Sequence, residues 1–129
     1  MSKKMGCLNQ KGFTLIELIS VMIIMGVVAS VSIQKFDTVT DTADERALHL
    51  GIKELNIRES LTWSNIKISI DGYTTDADLY PLVDTDMGGG YWWAPGPHIT
   101  DGGTLHFKSQ YIALNRQQST VSAAGKWES

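Results

Sequence analysis

The stretch Phe13–Ile33, FTLIELISVMIIMGVVASVSI, decides the reading of this chain: 21 residues with one charge, Glu17. As a helix rising about 1.5 Å per residue it reaches roughly 31 Å, the thickness of a bilayer's hydrocarbon layer. Upstream, Met1–Gly12 is polar and carries Lys3, Lys4 and Lys11 with no acidic residue. Basic residues hold that side in the cytoplasm, so the chain after Ile33 is expected across the membrane. A plain membrane anchor needs only the apolar length. A secretory signal peptide would be cut among the small residues Ala29–Ser32, but its apolar core is shorter, about 7–15 residues, and carries no charge. A lipoprotein reading of Cys7 fails because no apolar run precedes that cysteine.

The residues that separate these readings are Gly12-Phe13-Thr14-Leu15-Ile16-Glu17-Leu18. They resemble the type IV pilin and type II secretion pseudopilin family, whose precursors carry a short basic leader, a glycine, a phenylalanine and a glutamate fifth in the mature chain. The resemblance is close over residues 1–36 and extends to the rest only in general layout. It implies that prepilin peptidase cuts between Gly12 and Phe13 and methylates the new amino group of Phe13. Further implied partners are copies of the chain or other pilin-like subunits, the inner-membrane assembly machinery and membrane lipid. The implied location is the bacterial inner membrane, as a single-pass protein with a periplasmic carboxy-terminal domain, and then a periplasmic or extracellular filament.

Physical chemistry fits those roles. A glycine before the scissile bond leaves the backbone open to a protease. Glu17 lies one turn inside the apolar run, where an ionised carboxylate costs a few kcal/mol. The amine created at Phe13 of a displaced neighbouring subunit would neutralise it and set the axial register; alternatively Glu17 reaches the headgroups from near the helix end. Many family members carry a helix-breaking proline where this chain has Gln34. We therefore expect the helix to continue there.

The remaining composition fits one folded unit, 129 residues being within the usual size of a domain. Removal of Met1–Gly12 leaves eight basic against fourteen acidic residues, a formal −6 where the whole chain has −3. An acidic product is a poor phosphate binder, so no nucleic-acid partner is expected. The only cysteine, Cys7, lies in the leader, and the fold must hold without a disulfide.

Three segments are expected: a cleaved leader 1–12, a transmembrane and assembly helix 13–36, and a globular pilin-like domain 37–129. From Phe36 to about Trp63 the chain reads as further helix, with Ala43, Ala47, Leu48, Leu50, Ile52, Leu55, Ile57 and Leu61 on a broad apolar face and Glu45, Arg46, His49, Lys53 and Asn56 opposite. The alternation Ile66, Ile68, Ile70 before Asp71-Gly72 reads as a strand and turn. Leu105/Phe107 and Ile112/Leu114, on either side of Lys108-Ser109-Gln110, read as a hairpin, and the glycine- and proline-rich stretch between Asp84 and Gly103 as an ordered loop. The expected fold class is α+β, a long amino-terminal helix whose first half spans the membrane and whose amphipathic second half packs on a small antiparallel sheet.

Two clusters invite sharper readings. Asp84 and Asp86, with Asp101, offer oxygen ligands for calcium but match no complete metal loop, so no metal or other cofactor is expected. Tyr91-Trp92-Trp93, framed by Gly88–Gly90 and Pro95-Gly96-Pro97, either closes a small core or forms an interface with a ligand or adjacent subunit. His49, His98 and His106 have no zinc-ligand spacing, and no nucleophile–base arrangement can be read, so an enzyme is not expected. The function expected is a structural subunit of a pilus-like filament, with a minor tip subunit that contacts cargo or a surface as the alternative.

Overall fold

The computed structural model describes residues 12–129, which divide between Thr38 and Val39 into two compact units. A single helix, α1, is assigned from Leu15 to Ile68. It contains no proline, and Gln34 is helical, its carbonyl accepting the Thr38 hydroxyl at 3.1 Å. In the amino-terminal unit the polar side chains turn back on the helix. Ser20 Oγ donates to Ile16 O, Ser30 Oγ to Val27 O and Ser32 Oγ to Val28 O, at 2.7, 2.8 and 2.8 Å. Hydroxyls satisfied in this way need no water, which lets serine sit in an apolar span.

The second unit is built on a buried stripe of α1, Asp44, Leu48, Gly51, Leu55 and Glu59, at helical spacing. Four strands follow: β1 (Tyr91–Trp93), β2 (Gly103–Phe107), β3 (Gln110–Gln117) and β4 (Lys126–Glu128). They pair antiparallel in the order β1-β2-β3-β4. Leu48 and Leu55 from the helix meet Leu105, Leu114 and Trp127 from the sheet in one core. This is the expected α+β arrangement, a long helix on a small antiparallel sheet. Gly51 lets the layers close. A Cβ there would lie 2.9 Å from the Tyr91 ring, whose hydroxyl donates to Ala47 O at 2.6 Å. The gain in contact offsets the roughly 1 kcal/mol that glycine costs inside a helix.

Four details differ from the sequence reading. The buried face is narrower and more polar than the apolar stripe suggested: Leu50, Ile57 and Leu61 are exposed, whereas Asp44 and Glu59 are buried. Asn56, expected on the outer side, clamps β4 instead, its amide donating to Trp127 O and accepting from Trp127 N. Ile66 and Ile68 belong to α1, with Ile70 in the bend after it, because Trp63 Nε1 and Lys67 Nζ tie the last turns to the carbonyls of Thr120 and Val121. Tyr91–Trp93 is a strand rather than loop. Gly88, Gly89 and Gly90 all take positive φ and turn the chain onto β2, a path that side chains would oppose. The hairpin stands as read, with Phe107 opposite Gln110 and Lys108-Ser109 as the turn.

A short helix α2 (Asp76–Leu79), followed by a 3₁₀ turn Tyr80–Leu82, carries a residue with no counterpart in the sequence reading. Asp76 and Glu59 both grip Arg116, whose side chain is fully buried. Arg116 Nε and Nη2 donate to Glu59 at 2.6 and 3.2 Å, Nη1 and Nη2 to Asp76 at 2.7 and 2.9 Å, and Nη1 also to Ile99 O at 2.9 Å. All five guanidinium N–H groups are thereby used. Trp127 Nε1 donates to Glu59, and the amide and hydroxyl of Ser119 donate to Asp76. Gly125 makes room, since a Cβ there would lie 2.7 Å from Glu59 Oε2.

Burial alone would raise the Asp76 pKa, but hydrogen bonds from Arg116 and Ser119 outweigh it and hold the carboxyl below its ordinary 3.8. A depressed folded value contributes stability that is present above the unfolded value and lost as pH falls through the folded one. Melting temperature measured against pH should therefore drop below about pH 4, and Asp76→Asn should flatten that acid limb while lowering stability at neutral pH. Arg116→Met leaves two buried carboxylates unpaired and should cost about 3–5 kcal/mol in chemical denaturation.

Candidate functional site

At the amino terminus of α1 the chain forms a reciprocal cap. Glu17 Oε2 accepts the Thr14 amide at 3.0 Å, and Thr14 Oγ1 accepts the Glu17 amide at 3.3 Å. Thr14 occupies the cap position and Glu17 the third helical position, so Thr14-x-x-Glu17 is a capping box. The Thr-x-x-Glu spacing that signals such a box is present in the sequence. One carboxylate oxygen thus satisfies an amide at the positive end of the helix dipole.

Around this carboxylate the surface is apolar and uncovered. Phe13 is 91% exposed and Leu15 75%, and every Leu, Ile, Val and Met from Leu15 to Ile33 is exposed. The helix is long and apolar enough to cross a membrane. Side chains of this kind need lipid or other protein over them. Gly12 and Phe13 precede the helix without regular secondary structure, with open space around the Gly12 Cα. Lys3, Lys4, Cys7 and Lys11 lie outside the described residues.

The structure separates the three rings of Tyr91-Trp92-Trp93. Tyr91 and Trp93 point to the core, Tyr91 against Phe107 with ring centroids 4.7 Å apart and Trp93 against Trp127 at 5.3 Å. Burial pushes the Tyr91 phenol up, which keeps it the donor to Ala47. Trp92 lies on the other face, 49% exposed, stacked on His106 at 3.9 Å, with Tyr111 beyond. The three sit directly opposite one another on β1, β2 and β3. Period-two alternation is the physical reason: one strand must send neighbouring side chains to opposite faces.

Asp84 and Asp86 organise their own loop. Asp84 Oδ1 accepts the Asp86 amide and Asp86 Oδ1 the Gly88 amide, both at 3.0 Å. Arg58 donates to the carbonyls of both and pairs with the Asp84 carboxylate at 3.4 Å. Among the described residues no group of three or more His, Cys, Asp or Glu is placed to hold a metal ion. Asp101, His49 and His98 are exposed.

Single substitutions should report this division. Trp93→Ala should cost about 3 kcal/mol, the low end of the scale for aromatic truncations, because its ring is partly buried against the core. Trp92→Ala loses a stacked pair and part of its buried area, and should cost about 0.5–1.5 kcal/mol. Urea unfolding of residues 37–129 checks both, and equal losses would contradict the separation of the faces.

No curated protein and no solved structure shows a significant match to the chain. Residues 7–33 match the family model described as the prokaryotic N-terminal methylation motif, a span that includes Gly12, Phe13 and Glu17, so the chain carries the prepilin-type signal of type IV pilins and pseudopilins.

Proposed function

We propose that this chain is a structural, non-enzymatic subunit of a type IV pilus-like filament, of the pilin or secretion-pseudopilin kind, cut after Gly12, methylated on Phe13 and polymerised through its amino-terminal helix. The observation that carries the reading is the uncovered apolar surface of α1 from Leu15 to Ile33, interrupted only by the Glu17 charge, inside the methylation motif. Lipid covers that surface before assembly and neighbouring subunits cover it afterwards. The methylated Phe13 amine of a neighbour meets the Glu17 oxygen that the cap leaves free. Prepilin peptidase and the inner-membrane assembly machinery are the partners this requires, with the folded unit on the periplasmic side. A second reading, a minor tip subunit that contacts cargo or a surface, draws support from the exposed Trp92–His106–Tyr111 row.

Intact-mass measurement of membrane-extracted protein should show loss of Met1–Gly12 and one added methyl group. A product beginning near Val31 would instead establish a signal peptide. The two roles of Glu17 separate by chemistry, because Gln at this position keeps a capping oxygen and removes the charge. Glu17→Gln and Glu17→Ala should both be cleaved normally, and both should enter wild-type filaments at least roughly tenfold less well, the effect of losing a desolvated charge partner. Normal incorporation of the Gln variant with failure of the Ala variant would assign Glu17 to the cap alone.

A further inference from the structure

Beside β1, an outer strand of the sheet, lies a cleft of about 360 Å³ walled by Met87, Trp92, Trp93 and Pro97, with Thr85 and Asp86. We propose that this cleft binds a lysine or arginine side chain presented by a partner protein. Its volume suits one long side chain, at the small end of ligand pockets. Its walls are set in advance. Trp93 Nε1 donates to Thr85 O at 3.1 Å while its ring rests on Trp127, and Trp92 is stacked on His106 with planes 16° apart. Indole faces attract cations through their quadrupole, and rings already held lose little freedom on binding.

The charge pattern selects the occupant. Arg58, the nearby cation, is engaged by Glu54 at 2.9 Å and by Asp84, and no described ion pair involves Asp86. Asp86 spends one oxygen on the Gly88 amide and is otherwise exposed. Arg58 reaches the Asp86 main-chain carbonyl at 2.9 Å but is matched against Glu54 and Asp84, so the Asp86 carboxylate is in no described ion pair. A cleft with indole walls beside that carboxylate fits an ammonium or guanidinium on an apolar stem. A sugar fits less well, because the Trp93 N–H it would use is taken by Thr85 O. A metal ion would find one carboxylate among indole and proline surfaces. The inference rests on the folded unit and is independent of how the amino-terminal helix is used.

The test uses the full chain in detergent micelles with the tryptophan indoles isotopically labelled, followed by NMR. The probes are acetyl-Gly-Lys-Gly-amide, its arginine counterpart and a norleucine counterpart of equal length. The lysine and arginine peptides should move the Trp92 and Trp93 indole signals saturably, and norleucine should bind about tenfold or more weakly, as expected for loss of a cation–π and charge contact. Asp86→Asn should weaken the two cationic peptides severalfold and leave norleucine unchanged. Trp92→Phe should weaken them to a lesser degree at an unchanged melting temperature. Equal binding of norleucine, an absence of saturable shifts, or indifference to Asp86→Asn would overturn the proposal. So would the same shifts produced by calcium chloride alone, or saturation by a chito-oligosaccharide in place of the peptides.

Discussion

The folded unit depends on one buried cation. Arg116 on β3 reaches back to Glu59 on α1 and across to Asp76 on α2, and Trp127 on β4 and Ser119 after β3 bond to those same carboxylates. Four segments distant in sequence therefore converge on one guanidinium. The Arg116 and Glu59 side chains have zero exposure and Asp76 and Ser119 are buried, so water is poorly placed to replace these partners and the arrangement is close to all-or-none. It also explains why so small a sheet, with two three-residue strands, holds without a disulfide: the polar cluster extends the core that Leu48, Leu55, Leu105, Leu114 and Trp127 begin. The Arg116 guanidinium, packed over the Tyr80 ring at 4.6 Å, draws the turn after α2 into the same centre.

The helix shows two solutions to covering apolar surface. In the segment Val39–Ile68 a narrow stripe is covered by the chain's own sheet, and it tolerates Asp44 because Lys108 reaches that carboxylate at 2.8 Å. From Leu15 to Ile33 nothing in the chain covers the side chains, and serine hydroxyls fold onto helix carbonyls so that only apolar groups face outward. The one exception, Glu17, is partly satisfied by its own cap. A carboxylate that is half bonded locally can cross an apolar environment at lower cost and still offer an oxygen to a second cation.

The outward Trp92 and the inward Trp93 are adjacent in sequence yet differ in what they do. Trp93 closes the core against Trp127, while Trp92 joins His106 and Tyr111 on the opposite face, and both border the cleft beside Asp86. Composition marked the aromatic cluster as noteworthy. Which ring pointed where depended on the register of β1 against β2, set by three glycines at positive φ.

What sequence alone determined was local: the apolar run Phe13–Ile33, the motif around Gly12, Phe13 and Glu17, the long helix, and the hairpin across Lys108-Ser109. Each is written in neighbouring residues, as length, periodicity or a turn, and needs no distant partner to be recognised. Tertiary structure alone decided that Ile66 and Ile68 are helical, that Tyr91–Trp93 pairs as a strand, and that β4 exists at all. A three-residue strand has too few positions to show a period, and isoleucines at even spacing fit a strand or a helix end until their partners are known. Arg116, Glu59 and Asp76 were the least legible, since nothing local distinguishes a buried charge from a solvated one. Only the fold brings both carboxylates within 3 Å of the one guanidinium, and only that closeness makes their burial affordable in free energy.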